Sequence, residues 1–265
     1  MRFPVLFLGH GSPMNAIETN AFHASWQQLG PSLPRPRAIL MISAHWETRG
    51  VAVSSHPAPP TLHDFGGFPP ALHAVRYPAP GSPALAARVA DLLAPEPVHL
   101  DSRRGLDHGI WGVLLPMFPQ ADIPVVALSL ARDHPPAWHY QLARRLAPLR
   151  DEGVLVMASG NLVHNLALLR WPPAAPEPWA ADMQARLNAA LVSGDHDTLM
   201  HPERLGHAAR LAMPTPEHYL PVLYALGLQT PEDRLTLFND QVTGSLSMTS
   251  LRLDAPTVTS PAVAI

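Results

Sequence analysis

The chain has 265 residues, a formal net charge of −3, 15 histidines, no cysteine and no lysine. These absences exclude disulfides, thiolate metal sites, cysteine nucleophiles and mechanisms that need a catalytic lysine. The sequence also contains no basic block of the kind that binds nucleic acid, no apolar run near the ~20 residues that span a bilayer, and no signal-peptide pattern. We therefore expect a cytoplasmic protein with a small-molecule partner and with neither nucleic acid nor membrane as a partner.

Apolar runs bounded by glycine, proline and polar residues predict strands at 5–8, 38–43, 51–54, 98–100, 125–130, 154–158 and 246–253. Helical patterns lie between them, at 21–29, 83–93, 111–118, 137–150, 178–193 and 216–226. This alternation predicts an α/β fold, a single domain with a mostly parallel central sheet flanked by helices on both faces. We expect the catalytic domain to cover residues 1–253, with a Pro-rich irregular connection at 171–178 and a poorly ordered tail at 254–265.

Three predicted strands each lead to a histidine at or just after their carboxyl ends. His10 follows the first strand in LFLGHGSP, His45 follows AILMISA, and His164 comes shortly after VLVMASGN. In an open α/β sheet, residues at these ends converge on the ligand-binding crevice. A lone histidine is more often structural, but a cluster of imidazoles without thiols favours a borderline divalent metal. The sequence thus predicts a metal site at the carboxyl ends of the strands.

Two further histidines lie in motifs rich in special residues. His108 lies in GLDHGIWG, just before an apolar helix, and His218 lies in PTPEHYLP. In the second motif Thr215 is predicted to cap a helix, with Glu217 and His218 in its first turn. Neighbouring helical residues point about 100° apart, so only one of the two is expected to face a metal. Glu217 also suits the helix dipole, which leaves His218 as the ligand candidate.

Six motifs in order resemble those of the class III extradiol ring-cleavage dioxygenases, and especially their DOPA 4,5-dioxygenase-like branch: LFLGHGSPMN, ISAHWET, TLHDFGGFP, GLDHGIWGVL, ASGNLVHNL and TPEHYLPVLYALG. The resemblance covers residues 3–252. It implies one divalent non-haem metal per chain, with Fe(II) for activity and Zn(II) as an ion that the purified protein could hold. The implied reaction inserts both atoms of O2 into a catechol such as DOPA, beside its two hydroxyls.

The resemblance also assigns roles to residues. His10, His45 and His218 carry over as metal ligands, and His164 as a metal-proximal residue that is either a further ligand or the catalytic acid/base. His108 carries over as a catalytic-pocket histidine that positions substrate or dioxygen. Some members of the wider superfamily bind iron through two histidines and one glutamate, so Glu217 stays open as the third ligand.

Aromatic residues in or beside the motifs are expected to wall an aromatic substrate. The long loop TLHDFGGFP is typical of lids and substrate walls. The expected substrate-binding residues are His63, Trp46, Phe65 and Trp111, with Phe68 beside them. Two other functions are compatible with the same imidazoles: a Zn-dependent hydrolase or amidase that activates water, and a metal-dependent binder of small aromatics without turnover. The sequence gives no oligomeric state.

Overall fold

The computed structural model describes residues 2–170 and 175–256. Within those residues, eight strands form one sheet and two short strands form a hairpin. The strands are β1 (Val5–Gly9), β2 (Ala38–Thr48), β3 (Val51–Ser54), β4 (Val98–Asp101), β5 (Val125–Ala131), β6 (Val154–Gly160), β7 (Arg234–Phe238), β8 (Val242–Thr243), β9 (Leu246–Ser247) and β10 (Ser250–Asp254). The large sheet has the order β4-β3-β5-β2-β6-β1-β10-β7, and β8 pairs with β9.

The centre of the large sheet is parallel. β5, β2, β6 and β1 pair in parallel, as do β3 and β4, whereas β3–β5, β1–β10 and β10–β7 are antiparallel. The predicted α/β class with a mostly parallel sheet is therefore confirmed. Because β2, β6 and β1 are adjacent, their carboxyl ends lie side by side at one edge of the sheet.

Helices cover both faces of the sheet: α1 (Ala21–Ser32), α2 (Pro70–His73), α3 (Pro83–Leu93), α4 (His108–Met117), α5 (Pro136–Arg144), α6 (Pro178–Ser193), α7 (His196–Met200), α8 (His207–Ala212) and α9 (Leu220–Gly227). Successive strand residues enter opposite cores. Val5 and Phe7 pack in one core, while Leu6 and Leu8 pack in the other. This double burial explains why the central strands are uninterrupted apolar runs. No helix among the described residues is long and apolar enough to cross a membrane.

Several predicted boundaries are wrong. The predicted helix 137–150 stops at Arg144 and resumes as a 3₁₀ turn over Ala147–Arg150, which contains a proline that cannot donate a backbone hydrogen bond. The predicted strand 246–253 divides into β9 and β10. β7 and the short helices α2, α7 and α8 were not predicted. Asp254, the first residue of the predicted tail, is the last residue of β10. Residues 171–174 of the Pro-rich connection and 257–265 of the tail lie outside the described residues.

The predicted capping of helix 216–226 is also wrong. α9 begins at Leu220, and the preceding residues form a turn in which the N–H groups of Tyr219 and Leu220 both donate to Pro216 O. The Thr215 hydroxyl donates to Glu217 Oε1 at 2.9 Å instead of capping the helix. Glu217 and His218 therefore lie in a turn, where their side chains are free of the helical spacing on which the sequence argument relied.

Candidate metal centre

Glycines at the ends of β1 and β6 allow the histidine-bearing segments to approach closely. His10 follows β1 directly, and its N–H donates to Gly160 O of β6 at 3.1 Å. A Cβ on Gly160 would lie 2.2 Å from His218 O, and the next residue, Asn161, donates its N–H to that same oxygen at 2.8 Å. Only a residue without a side chain fits at position 160, which brings the turn that carries His218 against the end of the strand.

His45 lies inside β2, not beyond its end as predicted. The pairing of β2 with β5 shifts between Ile42 and Glu47, so four β2 residues lie opposite a single β5 residue. Such a bulge bends the strand and redirects side chains. Asp107, the N-cap of α4, accepts a hydrogen bond from Ser43 at 2.7 Å and pairs with Arg104, whose guanidinium also donates to His45 O at 3.3 Å. These buried contacts hold the bulge that aims His45.

Three imidazoles converge at this edge of the sheet. His10 Nε2 and His45 Nε2 are 3.1 Å apart. The ring of His218 lies 5.4 Å from that of His10 and 5.0 Å from that of His45, measured between centroids. The three residues offer ligand nitrogens that all lie within 4.8 Å of one another. This spacing suits a single divalent ion bound by one nitrogen from each ring.

Each of these rings has an oxygen near its Nδ1 atom. Nδ1 of His10 lies 3.0 Å from Ser159 Oγ, and Nδ1 of His218 lies 3.0 Å from Glu217 Oε1. Nδ1 of His45 is 3.6 Å from Asp64 Oδ2. Metal-binding histidines characteristically have their second nitrogen held in this way, which orients the ring and leaves Nε2 for the ion. The residues present therefore fit a metal.

The supporting oxygens were not among the predicted site residues. Ser159 and Asp64 each lie within a quoted motif, next to a glycine or a histidine. Their position in the motifs was the available signal, but nothing in the sequence pairs either one with a particular imidazole.

Burial keeps the imidazoles of His10 and His45 neutral. Desolvation, followed by repulsion from the neighbouring histidines, holds the pKa of His10 and that of His45 well below the usual value. Burial would raise the pKa of Glu217, but its hydrogen bonds, chiefly with His218, outweigh this effect and lower the pKa to about 2. At neutral pH the site therefore combines unprotonated imidazoles at His10 and His45 with an ionised carboxylate at Glu217, which is the protonation state that metal binding requires.

His164 lies beside this group instead of within it. Its N–H donates to Ala212 O at 2.8 Å, and its ring stacks on that of His218. The nitrogens of His164 and His218 and a carboxylate oxygen of Glu217 form a separate cluster within 4.8 Å. Burial, with a further contribution from His218, lowers the pKa of His164 to about 3. The ring is neutral at physiological pH and is able to accept a proton.

His108 begins α4 and faces the same space. Asp64 Oδ1 accepts hydrogen bonds from both the backbone N–H and Nδ1 of His108, each at 3.0 Å. The His108 ring lies 3.9 Å from that of His45. Asp64 therefore links the loop over the site to both histidines, and its pKa is held below the usual value because these interactions outweigh the opposing effect of burial.

The five histidines line a cavity of about 950 Å³, together with Phe65 and Phe68. The other three expected substrate-binding residues are not among the lining residues. Trp111 is fully buried and donates its Nε1–H to Leu62 O at 2.8 Å, and His63 Nε2 lies 3.0 Å from Val75 O. Trp46 is buried beneath the Arg104 guanidinium. His63 and Trp111 support the wall from behind, because their rings pack against that of Phe65, which lines the cavity.

Comparison with known proteins shows the family to which the chain belongs. The family described as the catalytic LigB subunit of aromatic ring-opening dioxygenase matches residues 4–248. The chain therefore belongs to this family, the class III extradiol dioxygenases, whose members depend on a metal. Within the family it falls in the DOPA-dioxygenase-like branch and is an oxidoreductase of that type.

Relatives in that branch match almost the whole chain. A "4,5-DOPA dioxygenase extradiol" of Escherichia coli K12 is 51% identical over 258 residues, covering 95% of each chain. Another of the same name, from Beta vulgaris, is 40% identical over 249 residues, covering 91% of this chain and 92% of its own. The crystal structure of an uncharacterized protein from Escherichia coli K12 superimposes with a TM-score of 0.84 at 46% identity, covering 96% of this chain and 100% of its own.

Proposed function

We propose that this dioxygenase opens the ring of DOPA or a closely related catechol at one Fe(II) ion, bound by His10, His45 and His218. The observation that carries the proposal is the set of three converging imidazoles, each with an oxygen near its Nδ1 atom and with Nε2 left for a ligand. Three facial ligands leave coordination positions for a catechol and for O2. The names of the relatives support the choice of DOPA.

The metal, when bound, supplies a Lewis acid that lowers the phenolic pKa and a redox centre for O2. The protein residues supply the proton transfer and the geometry. His164, neutral and next to the ligand group, accepts a proton from a catechol hydroxyl, whose unperturbed pKa is about 10. His108, held through Nδ1 by Asp64, presents its Nε2 to the bound substrate or to dioxygen. Phe65 and Phe68 pack against the aromatic ring.

The test is dioxygen uptake on adding DOPA to protein loaded anaerobically with Fe(II). We expect equimolar consumption of O2 and DOPA and a visible absorption band from the ring-opened semialdehyde. Removal of the metal with a chelator should abolish uptake, and Fe(II) should restore it. Protein loaded with Zn(II) is the control, since zinc binds imidazoles well but has no redox chemistry.

Three results would change the assignment. Ring opening of other catechols without DOPA turnover would remove DOPA as the substrate. Tight catechol binding with no O2 uptake would favour a binding protein. Hydrolysis of an ester or amide by the Zn(II) form, with an inert Fe(II) form, would favour the hydrolase. The predicted cytoplasmic location and the predicted absence of nucleic-acid and membrane partners remain predictions.

A further inference from the structure

A single acidic side chain, Glu18, stands on the cavity wall without a partner. It follows the 3₁₀ turn Pro13–Ala16 that leads away from His10, and its N–H donates to Met14 O at 2.9 Å. Its side chain lines the cavity and is exposed. Among the described residues its carboxylate forms neither a hydrogen bond nor an ion pair. It is therefore an acidic side chain at the cavity surface that is free to bind a ligand.

Acidic side chains line the cavity, and arginine side chains of the described residues do not. Apart from the histidines, its charged lining residues are Glu18 and Asp64. Asp64 is already engaged by His108 and His45. No arginine of the described residues lines the cavity, and the chain has no lysine. The segments 171–174 and 257–265, which the structure does not describe, carry no basic side chain either. The cavity therefore offers a free carboxylate to a cation and no basic partner, other than histidine, to a carboxylate.

The depth of these groups indicates which part of a substrate meets Glu18. His10 and His218 are only 4% and 7% exposed, so the proposed metal lies at the closed end. Glu18 is exposed and marks the open end, and Phe22, four residues further along the chain, also lines the cavity. An aromatic ring beside a carboxylate is a favourable environment for an ammonium group. Elsewhere Leu166, Leu169 and Leu246 line the wall with apolar side chains that offer a carboxylate no hydrogen bond.

We propose, on the basis of the catechol ring cleavage proposed above, that Glu18 selects catechols whose ring substituent ends in an ammonium group. The catechol oxygens lie at the histidine end, and the substituent extends to the open end and pairs with Glu18. A carboxylate on the substituent meets no cationic side chain other than histidine, so an amine that lacks a carboxylate is bound at least as well as the amino acid. The activity therefore extends to catecholamines, and catechol acids are the poorest substrates.

The test compares three catechols of similar size but different charge: dopamine, ethylcatechol and dihydrocaffeate. Their affinities are measured by anaerobic calorimetric titration of the Zn(II) form, and their kcat/KM values are measured by O2 uptake with the Fe(II) form. For the wild type we expect the order dopamine, ethylcatechol, dihydrocaffeate in both measurements. Glu18→Gln should reduce the affinity and the kcat/KM for dopamine roughly two- to fivefold, as expected for the loss of a solvent-exposed ion pair. The same two values for ethylcatechol should stay unchanged. Added salt should reduce the wild-type preference for dopamine.

The matched control is Glu232→Gln, which removes the same charge from an exposed position that does not line the cavity. It should leave the order of the three catechols intact. Unchanged ethylcatechol kinetics in Glu18→Gln show that the variant is folded. An equal preference for dopamine in the wild type and in Glu18→Gln would overturn the proposed role of Glu18 but would leave the catechol ring cleavage standing. A wild type that neither binds nor opens any of the three catechols would contradict the catechol chemistry itself, and this inference with it.

Discussion

His164 and His218 stack face to face, with ring centroids 3.5 Å apart and planes 4° from parallel. The two rings nevertheless have different neighbours. His218 shares a potential ligand group with His10 and His45, whereas His164 groups only with His218 and Glu217. Two stacked imidazoles repel each other when both are protonated, so the pair favours one ring bound to the metal and one neutral ring that exchanges a proton. This relationship leads to the first prediction.

His218→Ala should lose the metal, because two remaining imidazoles hold a divalent ion poorly against a chelator. His164→Gln should keep the metal and bind catechol, but turn over ~10²–10⁴-fold more slowly, as is typical when a general base is lost. Metal content after dialysis against a chelator, followed by kcat with Fe(II), measures both effects.

The same variants can contradict this division of roles. Metal loss from His164→Gln would make His164 a fourth ligand. Retention of the metal by His218→Ala, together with its loss from Glu217→Gln, would assign the third ligand to Glu217 instead.

Removal of either of the other two proposed ligands should abolish tight metal binding. His10→Ala and His45→Ala each delete one of the two Nε2 atoms that face each other. His56→Ala is the control, since the His56 ring does not line the cavity and accepts a hydrogen bond from the Ala58 N–H. Metal titration and thermal unfolding should be recorded for all three variants. Equal metal loss in all three would show that the substitutions act through stability and not through ligation.

Gly109 offers a test of how His45 is positioned. A Cβ at this position would lie 2.6 Å from Ser43 Oγ and 2.9 Å from His45 Cδ2, both in the β2 bulge. We expect Gly109→Ala to displace His45 and to weaken metal binding at least tenfold while the protein stays folded. Gly112→Ala is a close control, because it lies one turn further along α4 and its Cβ would meet nothing within 4 Å. Normal metal affinity in both variants would contradict this role of Gly109.

A buried ion pair far from the cavity should contribute to stability in a way that depends on pH. Arg150 and Asp233 form two hydrogen bonds of 2.6 and 2.8 Å, and both side chains are inaccessible to solvent. Arg150 also donates to Phe3 O and Leu228 O, each at 2.8 Å. Asp233→Asn leaves the guanidinium buried without its counter-charge, so we expect a loss of about 3 kcal/mol in urea unfolding at neutral pH. Asp254→Asn, which removes the half-exposed pair with Arg252, should cost below about 1 kcal/mol.

The loss from Asp233→Asn should depend on pH in a defined direction. Burial would raise the pKa of Asp233, but the hydrogen bonds from Arg150 and from the Thr230 N–H outweigh it and lower the pKa. Stability from a lowered carboxyl pKa is fully present above the unfolded-state value of about 4 and is lost as the pH falls through the folded-state value. The difference in unfolding free energy between wild type and variant should therefore shrink below about pH 4. A difference that is constant from neutral to acidic pH would refute this assignment.

The parts of the fold that the sequence predicted are those in which local pattern and tertiary burial agree. β1, β5 and β6 are apolar on both faces, and α3 begins at a serine cap followed by proline, so their positions followed from the sequence. The bulge at His45 did not, because it depends on the register with β5 and on the contacts of Asp107, which lies 62 residues further along the chain. Likewise, the aromatic character of Trp111 predicted a wall residue, but the side of the wall on which it lies depends on packing.

β1, which leads into His10, lies between β6 and β10, so the first strand to be synthesised pairs with the sixth and the tenth. During translation, the edge of β1 that pairs with β6 has no native partner until residue 160 has left the ribosome. The edge that pairs with β10 has none until residue 254 has left it. Gly9 also packs against the backbone of Met248. An apolar strand whose backbone N–H and C=O groups are unpaired associates readily with other chains. We therefore expect nascent chains to depend on chaperones through nearly the whole of translation, and late truncations to aggregate.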